Sequence, residues 1–118
     1  MLHIHHEEEF DAALVKYPKL VLDFSSSWCG PCKKIEPFLK GLAEEYEDQI
    51  TFFKADVDKV PSLAAEFHVS SIPALKFFES GKEVKDLAVF GANIPAIKKS
   101  VDLLNAISAA PPRYPHES

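Results

Sequence analysis

Cysteine is scarce in this chain: 118 residues contain only two, with one Trp, one Met and four Gly. Two thiols cannot build the framework of a disulfide-stapled secreted fold. They also fall short of a structural zinc site, which wants four ligands, and no second Cys or His pair stands at ligand spacing. No stretch approaches the roughly 20 apolar residues of a membrane-spanning helix. No charged-then-apolar signal segment precedes the first acidic run, Glu7-Glu8-Glu9. A basic stripe is missing too. With 13 Lys and Arg against 18 Asp and Glu, the net charge of −5 argues against a nucleic-acid backbone as partner. These absences predict a cytoplasmic chain with neither nucleic-acid nor membrane partners.

The material for one core is present, with 47% apolar residues and nine Phe. A chain of this length forms a single domain and buries somewhat over ~60% of its unfolded surface. Leu2-His3-Ile4 reads as a short first strand, and Glu7 to Lys16 as a helix ended before Pro18. Leu20 to Phe24 is apolar except for Asp23, the pattern of a central strand covered on both faces. From Pro31 onward, Ile35, Phe38, Leu39, Leu42, Ala43 and Tyr46 trace a long amphipathic helix that continues past Pro37. Ile50 to Val57 follows as a strand and Val60 to Phe67 as a short helix with Pro61 near its start. That order implies a right-handed crossover and parallel pairing. Leu75 to Glu79 and Val84 to Phe90 read as a hairpin across Ser80-Gly81-Lys82-Glu83, an antiparallel edge. Asn93 caps a last helix with Ile94, Ile97, Val101, Leu104 and Ser108 on one face. Residues 1–108 make the domain, and the proline-rich tail 109–118 is expected to be disordered.

Both cysteines lie in Trp28-Cys29-Gly30-Pro31-Cys32-Lys33, where the central strand gives way to the long helix. Residues three apart in a helical turn share a face, so their sulfurs can close a disulfide with little backbone movement. As a brace such a bridge does little: closing so small a loop is worth roughly 2 kcal/mol, against about 4.7 for a hundred-residue loop. The pair therefore reads as a redox reagent for thiol–disulfide exchange. Cys29 sits where a helix dipole and unpaired amides favour an anion, while Cys32, one turn in, is expected to be less exposed. Lowering a thiol pKa from about 8.5 to about 7 multiplies the thiolate fraction at neutral pH about fifteenfold, while nucleophilicity falls about fivefold. Access therefore matters as much as tuning. Asp23, a carboxylate within an apolar strand, is the candidate base for Cys32, because burial raises its pKa toward a useful range. Lys54 on the neighbouring strand is either its partner or an ordinary exposed lysine. The His3, His5 and His6 cluster reads as an incidental polar start, and Phe52, Phe53, Phe77 and Phe78 as sheet packing.

Asp23, the Trp28–Lys33 run, Pro37, Lys54, the Ile72-Pro73 pair and Gly91 stand in the order and spacing of thioredoxins, and the chain resembles that family over nearly all of residues 1–108. The resemblance implies an α/β thioredoxin fold: a central mixed sheet between helix layers, a three-layer sandwich. It implies a general protein disulfide reductase in which Cys29 attacks, Cys32 resolves and Asp23 assists proton transfer with Lys54 nearby. It also implies a cis bond before Pro73 and a contact patch of Trp28, Gly30, Pro31, Ile72, Pro73, Gly91 and Ala92, with the Ile72 backbone bonding an extended substrate. The resemblance further implies that no cofactor is bound and that NADPH acts indirectly through thioredoxin reductase. Partners are that reductase and many disulfide-containing proteins, peroxiredoxins among them, served by a monomer. Two departures stand out: Ala74 replaces a common Thr, and Ser25 replaces a Trp of many bacterial members. The alternative function is a redox-responsive binding subunit, whose partner affinity depends on the state of the Cys29–Cys32 pair.

Overall fold

In the computed structural model, residues 1–108 are described; the tail expected to be disordered, 109–118, lies outside the described residues. The elements in chain order are β1 (Leu2–Ile4), α1 (Glu7–Lys16), β2 (Lys19–Ser25), α2 (Gly30–Glu45), β3 (Thr51–Asp56), α3 (Pro61–Glu66), β4 (Ala74–Glu79), β5 (Lys82–Glu83), a 3₁₀ turn (Lys85–Leu87), β6 (Val89–Phe90) and α4 (Ile94–Ala106). The strands form one mixed sheet in the order β1-β3-β2-β4-β5, with β6 also on β4. β1, β3 and β2 run parallel. β4 is antiparallel to β2, and β5 and β6 are antiparallel to β4.

The reading of β2 as a doubly covered strand holds, since Leu20, Val21, Leu22 and Phe24 are fully buried. Alternation sends Leu20, Leu22 and Phe24 to one side, where they pack with Phe10 and Ala13 of α1, Leu63 of α3 and Phe78 of β4. Val21 points the other way, with Ile35, Leu39 and Leu42 of α2 and Ile97, Val101 and Leu104 of α4. The result is a three-layer sandwich with the sheet in the middle. Asp23 shares the parity of Val21, so its carboxylate faces the α2 side.

α2 runs unbroken through Pro37, as its continuing apolar period requires. Two expectations are corrected. No single strand spans Val84 to Phe90. A two-residue turn at Ser80-Gly81, both at positive φ, brings Lys82 and Glu83 back onto β4, and a 3₁₀ turn then intervenes before β6. The Ser100 hydroxyl donates to the Leu87 carbonyl at 2.7 Å, pinning that turn to α4. In α4, Asn93 caps as expected, its Oδ1 accepting the Ala96 amide at 3.1 Å. Its buried face is Ile97, Ser100, Val101 and Leu104; Ile94 is exposed and Ser108 lies past the helix end.

Candidate active site

β2 delivers the chain to Ser26, Ser27 and Trp28, and α2 starts immediately after Cys29. Cys29 is the N-cap of α2, with Pro31 in the first turn, where a missing amide costs least. The Cys29 sulfur accepts the Cys32 amide at 3.2 Å. It therefore occupies the place where a helix start presents unpaired donors and its dipole favours negative charge. Cys29 and Cys32 are joined as a disulfide with Cα atoms 5.3 Å apart. The expected difference in exposure is absent in this bonded state, where both residues are 4% exposed. The surroundings are open: Trp28 is 68% exposed, and Gly30 and Pro31 are exposed as well.

Asp23 is 3% exposed, and its Oδ1 has no hydrogen-bond partner. Burial lifts its pKa from 3.8 to about 7; Lys54 opposes that rise and Glu36 adds to it. Such a carboxyl is about half protonated at neutral pH and can take or give a proton there. Lys54 is its register neighbour across the β2–β3 pair, yet the Lys54 ammonium is bound elsewhere. It donates to Glu36 Oε1 of α2 at 2.8 Å. Of the two readings of Lys54, partner of Asp23 or ordinary exposed lysine, neither describes its ammonium, which pairs with Glu36. Glu36 itself is held below its usual range, chiefly by this hydrogen bond. Two more orphaned hydroxyls, of Ser25 and Ser26, lie buried in the same stretch. Ser26, Glu36, Lys54, His3 and Asp56 line a cleft of about 210 Å³.

The remaining patch residues form two tied groups. The Trp28 indole donates to Asp58 Oδ2 at 2.7 Å, so the exposed ring is held in place. The Ile72-Pro73 bond is cis; Pro73 is buried and Ile72 half-buried. The Pro73 carbonyl accepts the Gly91 amide at 2.8 Å, which joins that loop to the β6–α4 turn. Gly91 has φ +93, a backbone region that side chains avoid, so glycine is required for this turn. Ala92 beside it is exposed, and Ala74, the departure from Thr, is fully buried at the start of β4. Asp58 and Glu36 were not singled out from sequence. Glu36 stands four residues after Cys32, one helical turn on, and that spacing was the available signal. Among the described residues no group of three or more His, Cys, Asp or Glu is arranged to hold a metal, and no helix is long and apolar enough to cross a membrane.

The thioredoxin family model matches residues 1–102. Thioredoxin-2 of Saccharomyces cerevisiae is 48% identical over 94 residues, which cover 79% of this chain and 88% of that protein. Mitochondrial thioredoxin 3 of the same yeast, solved in its oxidised form, superposes with a TM-score of 0.81 at 33% identity, covering 86% of this chain and 93% of that one. A structure describing how a yeast mitochondrial 1-Cys peroxiredoxin is resolved via the glutathione and thioredoxin systems matches with a TM-score of 0.80 at 32% identity, covering 86% of this chain and 93% of that one.

Proposed function

The chain belongs to the thioredoxin family and is a thiol–disulfide oxidoreductase, and on that footing we propose how its residues divide the exchange. The Cys29 thiolate attacks one sulfur of a substrate disulfide. A Cys29–substrate bond forms, the substrate S–S bond breaks, and the departing sulfur leaves as a thiolate that takes up a proton. Cys32 then passes its proton to the Asp23 carboxylate and attacks the Cys29 sulfur. The mixed disulfide breaks, the second substrate sulfur leaves and is protonated, and the Cys29–Cys32 disulfide remains. The substrate has gained two electrons and two protons. Because the second attack is intramolecular, it outruns escape of the mixed disulfide.

Trp28, Gly30, Pro31, Ile72, Pro73, Gly91 and Ala92 receive the substrate, whose extended segment bonds the Ile72 backbone beside the dithiol. Lys54 moderates the Asp23 proton affinity. Thioredoxin reductase, drawing on NADPH, returns the pair to its reduced form, so the chain needs no resident cofactor. It acts as a cytoplasmic monomer on many disulfide proteins, peroxiredoxins among them. One observation carries this reading: a sulfur at the cap of α2, accepting a backbone amide and bonded to a second sulfur one turn on.

Insulin reduction with NADPH and thioredoxin reductase tests it. Both Cys29→Ser and Cys32→Ser should lose turnover, and Cys32→Ser alone should accumulate a mixed disulfide through Cys29. Rapid turnover by Cys29→Ser would overturn the assignment of the attacking sulfur.

A further inference from the structure

Lys54 and Asp23 are opposite each other in the β2–β3 register and both face the α2 side of the sheet. A lysine so placed is expected to neutralise the carboxylate. It does not, because Glu36 reaches down from α2 and takes the ammonium at 2.8 Å. The Lys54 and Glu36 side chains are 23% and 27% exposed, so the pair is partly screened from water and holds better than a surface ion pair. Asp23 is left with an unpartnered oxygen in the same layer. Glu36 also stands one turn after Cys32 on α2, so the clamp joins the helix of the resolving cysteine to the strand beside its base.

We propose that Glu36 is a positioning residue for the proton-transfer step: by holding the Lys54 ammonium it keeps that cation from turning onto the unpartnered oxygen of Asp23. This rests on the reading of Asp23 as the base for Cys32. The groups around Asp23 allow few other sources of control. With Cys29 and Cys32 joined as a disulfide, the ionisable group that α2 brings to this layer is Glu36; from β3 they are Lys54 and, at the strand end, Asp56. From β1, His3 pairs in register with Lys54, and burial together with the Lys54 charge keeps its imidazole toward the neutral form. The flanking residue of β4 is Leu75, and α4 covers this side with Ile97, Val101 and Leu104. Lys54 lowers the Asp23 proton affinity and Glu36 raises it.

The test is the Asp23 titration midpoint, read from its side-chain carboxyl carbon by NMR in the oxidised protein, for wild type, Glu36→Gln, Lys54→Met and the double variant. In Glu36→Gln the freed ammonium turns to Asp23, and the midpoint should fall by about one pH unit, since a cation brought within hydrogen-bonding range lowers a carboxyl by one unit or more. The pH profile of mixed-disulfide resolution should move by the same amount. In the Lys54→Met background the same Glu36→Gln change should move the midpoint by less than half as much. An unmoved midpoint in Glu36→Gln, or equal movement in both backgrounds, would overturn the clamp. The NMR midpoint does not depend on Asp23 being the base. A midpoint that moves while the resolution profile stays fixed would instead count against Asp23 as base, so the two failures are distinguishable.

Discussion

Asp23 is the residue at which chemistry and stability pull in opposite directions. Its pKa is about 7 in the folded chain against 3.8 in the unfolded one, so the native state holds a proton that the unfolded state has released. Stability therefore falls as pH rises from about 4 to about 7 and then levels, because above the folded value both states are ionised and the full cost of the buried charge is present. Asp23→Asn removes that slope. The variant should match wild type near pH 4 and exceed it at pH 8 by about 2–4 kcal/mol, measured by urea unfolding across pH. Its resolving step should slow about tenfold at pH 7 and lose the part of its pH dependence that follows Asp23, leaving a rise set by ionisation of the Cys32 thiol itself. An equal pH slope in wild type and variant would show that the carboxylate is not paying for its burial. Asp23 was legible in the sequence because a carboxylate amid Leu22 and Phe24 breaks an otherwise apolar pattern. Glu36 and Asp58 were not, because a charge on a helix or in a loop looks like ordinary solvated surface until the register supplies its partner. Lys54 was half legible: its strand position was right, but neither a pair with Asp23 nor plain exposure describes its pair with Glu36.

Elements are secured at their ends, and two ends make predictions of their own. The Lys19 ammonium, at the start of β2, donates to the Asn105 and Ile107 carbonyls at 2.9 and 2.6 Å, closing the C-terminus of α4 from another layer. Lys19→Met should cost about 1–2 kcal/mol in urea unfolding and raise amide exchange in the last turn of α4 above that of its first. At the end of α3, His68 sits at φ 55 while its amide bonds the Ala65 carbonyl and the Val69 amide bonds that of Ala64. This is a C-terminal motif that glycine fits without strain, so His68→Gly should stabilise the fold by about 0.5 kcal/mol despite its looser unfolded chain. Such ends also mark where sequence reading failed. The strands and helices from Leu2 to Glu79 were legible because the central strands are apolar on both faces and the helices bury one continuous face. Val84, Leu87 and Val89 are apolar without keeping a period of two, and Ser80 gives no hint of its positive φ. The short β5 was therefore read as part of a four-residue connection, and the 3₁₀ step and β6 as one longer strand.

The sheet divides the molecule into two cores, yet β2 and β4 contribute to both, so neither core can be lost alone. Leu22 is fully buried on the α1–α3 side and Leu39 on the α2–α4 side. Leu22→Ala and Leu39→Ala should each cost about 2–5 kcal/mol and keep one unfolding transition with an unchanged denaturant slope. Val15→Ala, at a residue 90% exposed, should move stability by less than about 0.5 kcal/mol. Two transitions in either leucine variant would mean that the faces fold separately. The redox pair lies at the start of α2, outside this shared framework, which lets its bond open and close while the cores stay packed. The bond spans residues only three apart, so reduction releases a small loop and should lower stability by roughly 2 kcal/mol. Unfolding of the reduced chain should remain a single transition, followed by fluorescence and circular dichroism together. A much larger loss, or probes that no longer coincide, would show that the bond supports the scaffold, and a chain that must partly unfold at every turnover could not serve as a rapid exchange reagent.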